Sequence, residues 1–298
     1  MMDEIHLKPY FDFKGGNVVG AAFDSSHAAT SAHAFMIQSL LSNYKDVVFV
    51  LPVKTLTAET LHDIIKRVVV DLEDISFTVV AVVSDSNSIN RKAMSLFSNP
   101  PQLSVSFNHP VDSDRPLYYV IDAVHIFKCI RNNWLNPKND RQSMNYPSFD
   151  SNVISKLDTA CFKTLKELHE LEHTNLLKYG YSLTLKALNP TNLERQNANL
   201  VLKIFNEHVI AALIELGEKL SLNYCKQTAA YIHVILNWWN VVNVKTPDKG
   251  KRLKNIIMHP LTNSPVDEGQ IFLQQFITWM NIWQDYNPAT GKLKLLCT

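Results

Sequence analysis

The chain has 298 residues, a hydrophobic share of 46%, a charged share of 19% and a net charge of +1 from 29 basic and 28 acidic residues. These values are typical of a globular protein with one large or two ordinary domains, and they exclude a disordered chain and a broadly basic nucleic-acid-binding protein. The four cysteines are far apart and MMDEIHLKPY lacks the apolar run of a signal peptide, so we expect an intracellular protein, nuclear or cytoplasmic, without a membrane segment.

The first 135 residues alternate strand-like and helix-like segments. Runs of β-branched and apolar residues predict strands at 17–24, 46–53, 77–84 and 116–123. Helical periodicity predicts helices at 28–41, 57–72 and 124–135. Thr57 is the expected N-cap of the second of these helices. Such alternation favours an α/β layer fold with a largely buried sheet.

The second half of the chain has a different pattern. From about residue 150 the apolar residues recur at helical spacing and no strand-like run appears. The helical segments are 150–178, 191–221, 226–243 and 268–285. A helical domain is therefore predicted. The basic stretch 245–254 within it either contacts phosphate or is a solvated loop.

Three aspartates share one local setting in the first half. Asp3 lies in MMDEI, Asp85 directly follows the strand FTVVAVVS, and Asp122 directly follows PLYYVI. Hard divalent cations bind clustered carboxylate oxygens, and two-metal phosphoryl-transfer sites take them from separate strands. Aspartate is also common in the turns that follow strands, so spacing alone leaves the metal site and the ordinary turn open.

The segment HELEH at 169–173 fits the zinc motif HExxH. In that motif His169 and His173 would bind zinc and Glu170 would act as the base. The surrounding KTLKELHELEHTN is charged like a solvated amphipathic helix, and no third ligand is marked by the sequence. A zinc hydrolase is therefore the weaker alternative.

Polar residues interrupt the aromatic segment NWWNVVN at 237–243. Asn240 and Asn243 are neighbours on one helix face, three residues apart. Their amides either bind a ligand or pack within a helical core, and the sequence leaves both open.

Several of these phrases occur together in one known family. DEIHLK (3–8), VVSDSNSINRKAM (82–94) and YYVIDAVHIFKCIRNNWLN (118–136) resemble P element transposases and their relatives with THAP DNA-binding domains. The third phrase matches a family pattern of Asp-x-x-His-x-x-Lys-x-x-Arg-Asn. LKELHELE, the segment 186–213 and NWWNVVN extend the resemblance over nearly the whole chain, and HELEH becomes part of a family helix.

The resemblance implies an α/β RNase H-like partial core followed by an all-α insertion domain. The corresponding domains are 1–136, the first part of the RNase H-like domain, and 137–298, a helical domain of the kind that binds GTP. By this resemblance Asp3 and Asp85 are the catalytic aspartates that hold Mg²⁺ in a two-metal site, and Asp122 and His125 support them. The implied partners are transposon-end DNA and further copies of the chain.

The sequence also departs from the family. The third acid of the family lies in a late phrase Asp-x-Leu-Glu-Asn, and GKLKLLCT at 291–298 does not contain it. The family has an Asp where this chain has Asn240, three residues before an Asn at 243, which weakens the expectation of guanine binding. Val209 matches a position near the nucleotide only loosely.

We therefore expect a fragment of a P element-type DNA transposase, inactive alone because it lacks one metal-binding acid. The alternative is a domesticated, non-enzymatic module that binds a nucleotide, DNA or another protein. The zinc hydrolase based on HELEH remains the third hypothesis.

Overall fold

The computed structural model describes residues 1–23, 25–138, 142–149 and 157–285. The chain divides into two compact units, Met1–His125 and Ile126–Thr298. This division falls near the start of a helix, Ala123–Trp134, that continues to the end of the DAVHIFKCIRNNW phrase. The domain boundary between 136 and 137 implied by the resemblance stays a prediction. The segment GKLKLLCT, with Cys297, lies outside the described residues.

The first unit contains eight described strands and two helices, and the helix Ala123–Trp134 begins in it. The strands are β1 Met2–His6, β2 Asp12–Lys14, β3 Asn17–Val19, β4 Ser31–Gln38, β5 Lys45–Val53, β6 Ala81–Ser84, β7 Ser106–Asn108 and β8 Pro116–Ile121. The helices are α1 Ala58–Asp74, α2 Ser88–Ser95 and α3 Ala123–Trp134.

These strands form two three-stranded sheets and one separate hairpin. The first sheet has the order β1–β4–β5 and is antiparallel. In the second, of order β6–β8–β7, β6 runs parallel to β8 and β7 runs antiparallel to it. β2 and β3 form a separate antiparallel hairpin. The α/β character predicted for this half is therefore confirmed.

Most predicted elements of this unit are present. The strand at 46–53, the strand at 116–123 and the helix at 124–135 correspond to β5, β8 and α3. The Thr57 side chain accepts a hydrogen bond from the backbone N–H of Thr60, as an N-cap should. The strands predicted at 77–84 and 17–24 are shorter, and Asp24 lies outside the described residues.

The helix predicted at 28–41 is wrong, because this segment forms β4. β4 is the central strand of its sheet, with β1 on one side and β5 on the other. Ser31, Ala32 and His33 are all buried, so both faces of the strand are covered. A strand covered on both faces shows no apolar–polar alternation, and its alanines and methionine favour a helix by propensity alone.

One hydrophobic core joins α1 and α2 to the strands. Leu61, Ile65 and Val69 lie on one face of α1, one helical turn apart, and are almost fully buried. They belong to the same core as Met2 of β1 and Val82 of β6. One face of these strands therefore packs against the helices.

The second unit is mainly helical but also contains two described strands. These are β9 Ser143–Pro147 and β10 Leu157–Cys161, which pair antiparallel. The helices are α4 Phe162–Leu171, α5 Leu185–Leu188, α6 Ala198–Leu202, α7 Glu207–Gly217, α8 Cys225–Val242, α9 Lys249–Leu253 and α10 Glu268–Asp285. The expectation of an all-α domain is therefore wrong in one respect, because this unit also contains an antiparallel pair of strands.

The boundaries of the predicted helices in this unit vary in accuracy. Segments 226–243 and 268–285 correspond closely to α8 and α10. Segment 191–221 is divided into a 3-10 turn and two helices, and the described part of 150–178 begins with β10. None of the described helices is long and apolar enough to cross a membrane.

Stacked and edge-to-face aromatic rings form the core of this unit. Trp134 is fully buried and meets Phe162 and Tyr231 edge-on, with ring centroids 5.2 Å and 5.0 Å away. Phe127 stacks on Trp239 at 4.2 Å. The aromatic segments of the sequence are therefore core, as their helical spacing indicates.

Candidate functional site

Asp85 is held in a tight turn between β6 and α2. Its Oδ1 accepts hydrogen bonds from the side-chain amide of Asn90 at 2.6 Å and from the backbone N–H of Asn87 at 3.2 Å. Asn87 is also the N-cap of α2, because its side chain accepts from the backbone N–H of Asn90. The turn therefore fixes Oδ1 of Asp85, while its Oδ2 accepts no hydrogen bond from the described residues.

Asp122 lies beside Asp85 at the ends of two parallel strands. Ser84 of β6 is in register with Ile121 of β8, and each aspartate is the next residue. The backbone N–H of Asp122 donates to the carbonyl oxygen of Ser84 at 2.8 Å, which joins the two strand ends. His125, in the first turn of α3, has its Nε2 3.7 Å from Oδ2 of Asp122. Asp122 therefore lies at the same strand ends as Asp85, with His125 beside it, and their supporting role stays a prediction.

Asp3 lies on β1, and β1 lies against β6 although the two strands are not paired. Met2 faces the core, so strand alternation directs Asp3 to the opposite face. Val82 and Ser84 of β6 are buried, and Asp85 directly follows the end of this strand. Oδ1 of Asp3 accepts from the backbone N–H of Glu4 at 2.9 Å.

The buried imidazole of His33 connects these carboxylates. His33 pairs with Glu4 across β1 and β4, and its Nε2 is 3.9 Å from Oε1 of Glu4. Burial lowers the pKa of His33. The negative charges of Glu4, Asp85 and Asp3 oppose that shift. All three carboxylates therefore lie within electrostatic range of one buried ring.

The donor chemistry at this place suits a hard divalent cation. Mg²⁺ prefers carboxylate oxygens, which Asp3 and Asp85 supply from neighbouring strands. Within the described ranges, however, no group of three or more His, Cys, Asp or Glu side chains is close enough to enclose an ion. The side chains are of the kind that binds Mg²⁺, but the described residues supply fewer than three clustered ligands.

Sequence reasoning missed two neighbours of the site. Asn90 is buried and orients Asp85, and His33 lies on a strand that we predicted as a helix. The spacing of Asn87 and Asn90 is a signal for an N-cap, because an N-cap side chain bonds the N–H of the residue three positions on. No sequence signal places His33 here, since its position depends on pairing between β1 and β4.

The HELEH segment does not lie on one continuous helix. α4 ends at Leu171, and His173 follows the end of the helix, with its ring centroid 6.3 Å from that of His169. Glu172 is buried and accepts from the backbone N–H groups of Tyr179 at 2.6 Å and Gly180 at 2.9 Å. Glu170 is exposed, and the described part of the chain supplies no third ligand for zinc.

The proposed nucleotide contacts of the second unit lie in or near its core. Val209 on α7 is fully buried and Asn240 on α8 is 7% exposed. Asn243 is the C-cap of α8, and its backbone N–H donates to the carbonyl oxygen of Trp239 at 3.0 Å. α7 and α8 pack against each other. A role of these residues in GTP binding stays a prediction.

Comparisons with known proteins bear on this arrangement. Residues 1–98 match the family described as TNP-like, RNase H N-terminal domain. The human DNA transposase THAP9 is 25% identical over 234 residues, which are 75% of this chain and 24% of that protein. The chain therefore spans about a quarter of the length of this relative.

The fold is also found in a solved structure. A chain of the Drosophila P element transposase strand transfer complex superimposes with a TM-score of 0.62 and 16% sequence identity. The match covers 99% of this chain and 67% of that chain. At this identity the likeness shows a shared fold.

Proposed function

Because this chain belongs to the P element-type transposase family, we propose that Asp3 and Asp85 are the metal-binding aspartates of an RNase H-like DNA strand-transfer site. One observation carries the proposal: Asp3 lies on β1, Asp85 directly follows β6, and these two strands lie against each other. Two carboxylates so placed repel each other unless a cation lies between them.

The chemistry of the proposed site follows from its residues. Divalent cations bound there would activate an attacking water or 3′-hydroxyl and stabilise the leaving oxygen of a DNA phosphodiester. Asn90 and Asn87 hold one oxygen of Asp85 and leave the other directed away from them. Asp122 and His125 support the same strand ends.

We further propose that the two aspartates bind the cation weakly in this chain. Affinity for a hard cation grows with the number of carboxylate oxygens, and the described residues do not bring three potential ligands together. Strand cleavage by the 298-residue chain alone is therefore expected to be slow or absent.

Iron-directed cleavage of the polypeptide tests the site without relying on DNA cleavage. Fe²⁺ replaces Mg²⁺ at sites of this type, and with ascorbate and peroxide it generates radicals that cut the backbone near the ion. We expect cuts near Asp3, His33 and Asp85 that excess Mg²⁺ suppresses. Cuts near His169 and His173 instead would contradict the proposal and support the HELEH hypothesis.

A test variant and a control variant with the same Asp→Asn change serve this experiment. Asp85→Asn should remove the cuts, because an amide has only one acceptor oxygen and no charge. Asp46→Asn is the control: Asp46 lies on β5 of the same unit, and its Oδ1 accepts from the next backbone N–H as that of Asp3 does. Equal cutting in both variants would refute a cation site at Asp85.

A further inference from the structure

A strongly basic segment, residues 245–254, lies on the second unit. Residues 245–254, KTPDKGKRLK, contain five basic residues and one acidic residue, a charge of +4. The whole chain has 29 basic and 28 acidic residues, so the remainder has 24 against 27 and carries −3. The net positive charge of this protein therefore comes from one short segment, and the rest of the chain is net negative.

The segment has a defined conformation. Its centre forms α9, and Lys254 ends this helix in a left-handed conformation with φ of 52°. The backbone N–H of Asn255 donates to the carbonyl oxygen of Gly250 at 3.0 Å. These bonds close the turn after α9 and hold the basic side chains on a fixed backbone.

Close packing attaches the same segment to the rest of the unit. Gly250 is buried, and a Cβ at this position would lie 2.5 Å from the His259 ring and 2.7 Å from the Met258 backbone. The 3-10 turn Ile256–Met258, with Met258 buried, packs against both α8 and α10. The alternative of a freely solvated loop, which the sequence left open, does not fit this packing.

The cations of the segment have no anionic partners in the described part of the chain. Lys245, Lys251, Arg252 and Lys254 are exposed, and no described carboxylate forms an ion pair with any of them. Other lysines of this unit do have such partners: Lys163 pairs with Glu167, Lys186 with Glu194 and Lys226 with Glu218. Within the described residues, these three lysines are paired with carboxylates and the four exposed cations of the basic segment are not.

We propose that this basic surface, residues 245–254, binds the phosphate backbone of DNA. The inference rests on the proposed function for the identity of the polyanion, since DNA is the substrate proposed for the first unit. Lysine and arginine side chains on a fixed backbone release condensed counterions when they meet phosphates, and this release drives binding without reading the base sequence. The surface would hold DNA on the second unit while the first unit carries the metal-binding aspartates.

Salt-dependent DNA binding by the full chain tests the proposal. The variant Lys251→Gln/Arg252→Gln/Lys254→Gln removes three exposed cations and leaves Gly250 and its packing unchanged. Fluorescence anisotropy with a labelled duplex is measured over a range of salt concentrations. We expect the slope of log K against log salt to decrease by about 3 and affinity at 0.1 M salt to fall roughly 100-fold.

The matched control is Lys163→Gln/Lys186→Gln/Lys219→Gln, which removes the same charge from exposed positions of the same unit. Its slope should change by no more than about 1. Equal losses in the two triple variants would overturn the proposal, because they would show an effect of net charge alone. An absence of DNA binding by the unsubstituted chain would also overturn it.

Two further outcomes separate this inference from the proposed function. If polyglutamate competes as well as DNA at equal charge, the surface is a general anion site and the assignment to DNA is wrong. If the basic variant binds DNA like the unsubstituted chain while iron cuts near Asp85, the proposed function stands and the DNA surface lies elsewhere. Loss of the iron cuts with retained salt-dependent binding would refute the metal site and leave the basic surface supported.

Discussion

The two units place the residues implied by the family resemblance in opposite surroundings. In the first unit Asp3 is exposed and Asp85 and Asp122 are half-buried, all at or near strand ends. In the second unit Val209 is fully buried and Asn240 is 7% exposed, within packed helices. The first set can meet a ligand without rearrangement, whereas the second set contributes to the core as the unit stands.

This difference separates two kinds of experiment. Substitutions in the first unit should change ligand binding more than stability, and substitutions in the second should change stability first. The tryptophans allow the units to be followed separately, because all five lie in the second unit and none lies in residues 1–125. Tryptophan fluorescence therefore reports unfolding of the second unit, and hydrogen exchange of selected peptides reports the first.

The largest effect is expected from Trp134→Ala. Trp134 is fully buried among aromatic rings, and its removal leaves a cavity lined by Phe162, Phe205 and Tyr231. Such truncations cost about 3–5 kcal/mol of unfolding free energy. Urea unfolding followed by fluorescence of the other four tryptophans measures the loss.

The control for this experiment is Leu176→Ala, whose side chain is 98% exposed. It should change the free energy of unfolding by no more than about 0.5 kcal/mol. A loss below about 1 kcal/mol for Trp134→Ala would show that the aromatic cluster does not form the core of the second unit.

Local sequence patterns predicted the elements whose burial is one-sided and failed where pairing over distance decides. α1 shows its apolar stripe and its Thr57 cap in the sequence, and Asp85 is visible as an acid after an apolar run. β4 is covered on both faces and lies between two strands, so its residues carry no alternation. The position of His33 beside the aspartates depends on that pairing and could not be predicted.

The second largest effect is expected from Glu172→Gln. The two oxygens of Glu172 accept from different backbone N–H groups, those of Tyr179 and Gly180. A glutamine directs an NH₂ group at one of these donors, which leaves a buried donor unsatisfied and costs about 2–3 kcal/mol. Glu170→Gln, two positions away and exposed, should be nearly neutral.

Fluorescence-detected unfolding again measures both variants. This pair also sharpens the interpretation of HELEH, because a zinc hydrolase needs Glu170 and the fold needs Glu172. A large stability loss for Glu170→Gln with none for Glu172→Gln would reverse the structural assignment.

A pH-dependent effect is expected in the first unit from Glu73→Gln. Burial raises the pKa of Glu73, but hydrogen bonds from the Val79 N–H and from Arg115 lower it more, so its pKa is lower than that of an ordinary glutamate. His109 and Asp112 complete this cluster, with Nε2 of His109 3.4 Å from Glu73 and Asp112 bound to Arg115. The cluster joins the end of α1 to the segment before β8.

The sign of this effect follows from the lowered pKa. A carboxyl whose pKa is lower in the folded state stabilises the fold above its unfolded pKa, and that contribution is lost as the pH falls through the folded pKa. The difference in unfolding free energy between the unsubstituted chain and Glu73→Gln should therefore be constant near neutral pH and shrink below about pH 4.5. Hydrogen exchange of peptides from α1 measures it, and a difference that grows with acid would contradict the assignment.

The smallest change in stability, and the closest test of the comparison between units, is expected from Asn87→Ala. Loss of this N-cap costs about 1 kcal/mol and increases hydrogen exchange in the first turn of α2. Asn90 lies in that turn and holds Oδ1 of Asp85, so the carboxylate should lose its fixed orientation and the iron-directed cuts near Asp85 should weaken. Asn87→Ser keeps a capping oxygen and should retain both the helix turn and the cuts. The fluorescence of the second unit should be unchanged in either variant. If Asn87→Ala weakened α2 and left the cuts intact, the turn would be a structural cap without a part in orienting Asp85.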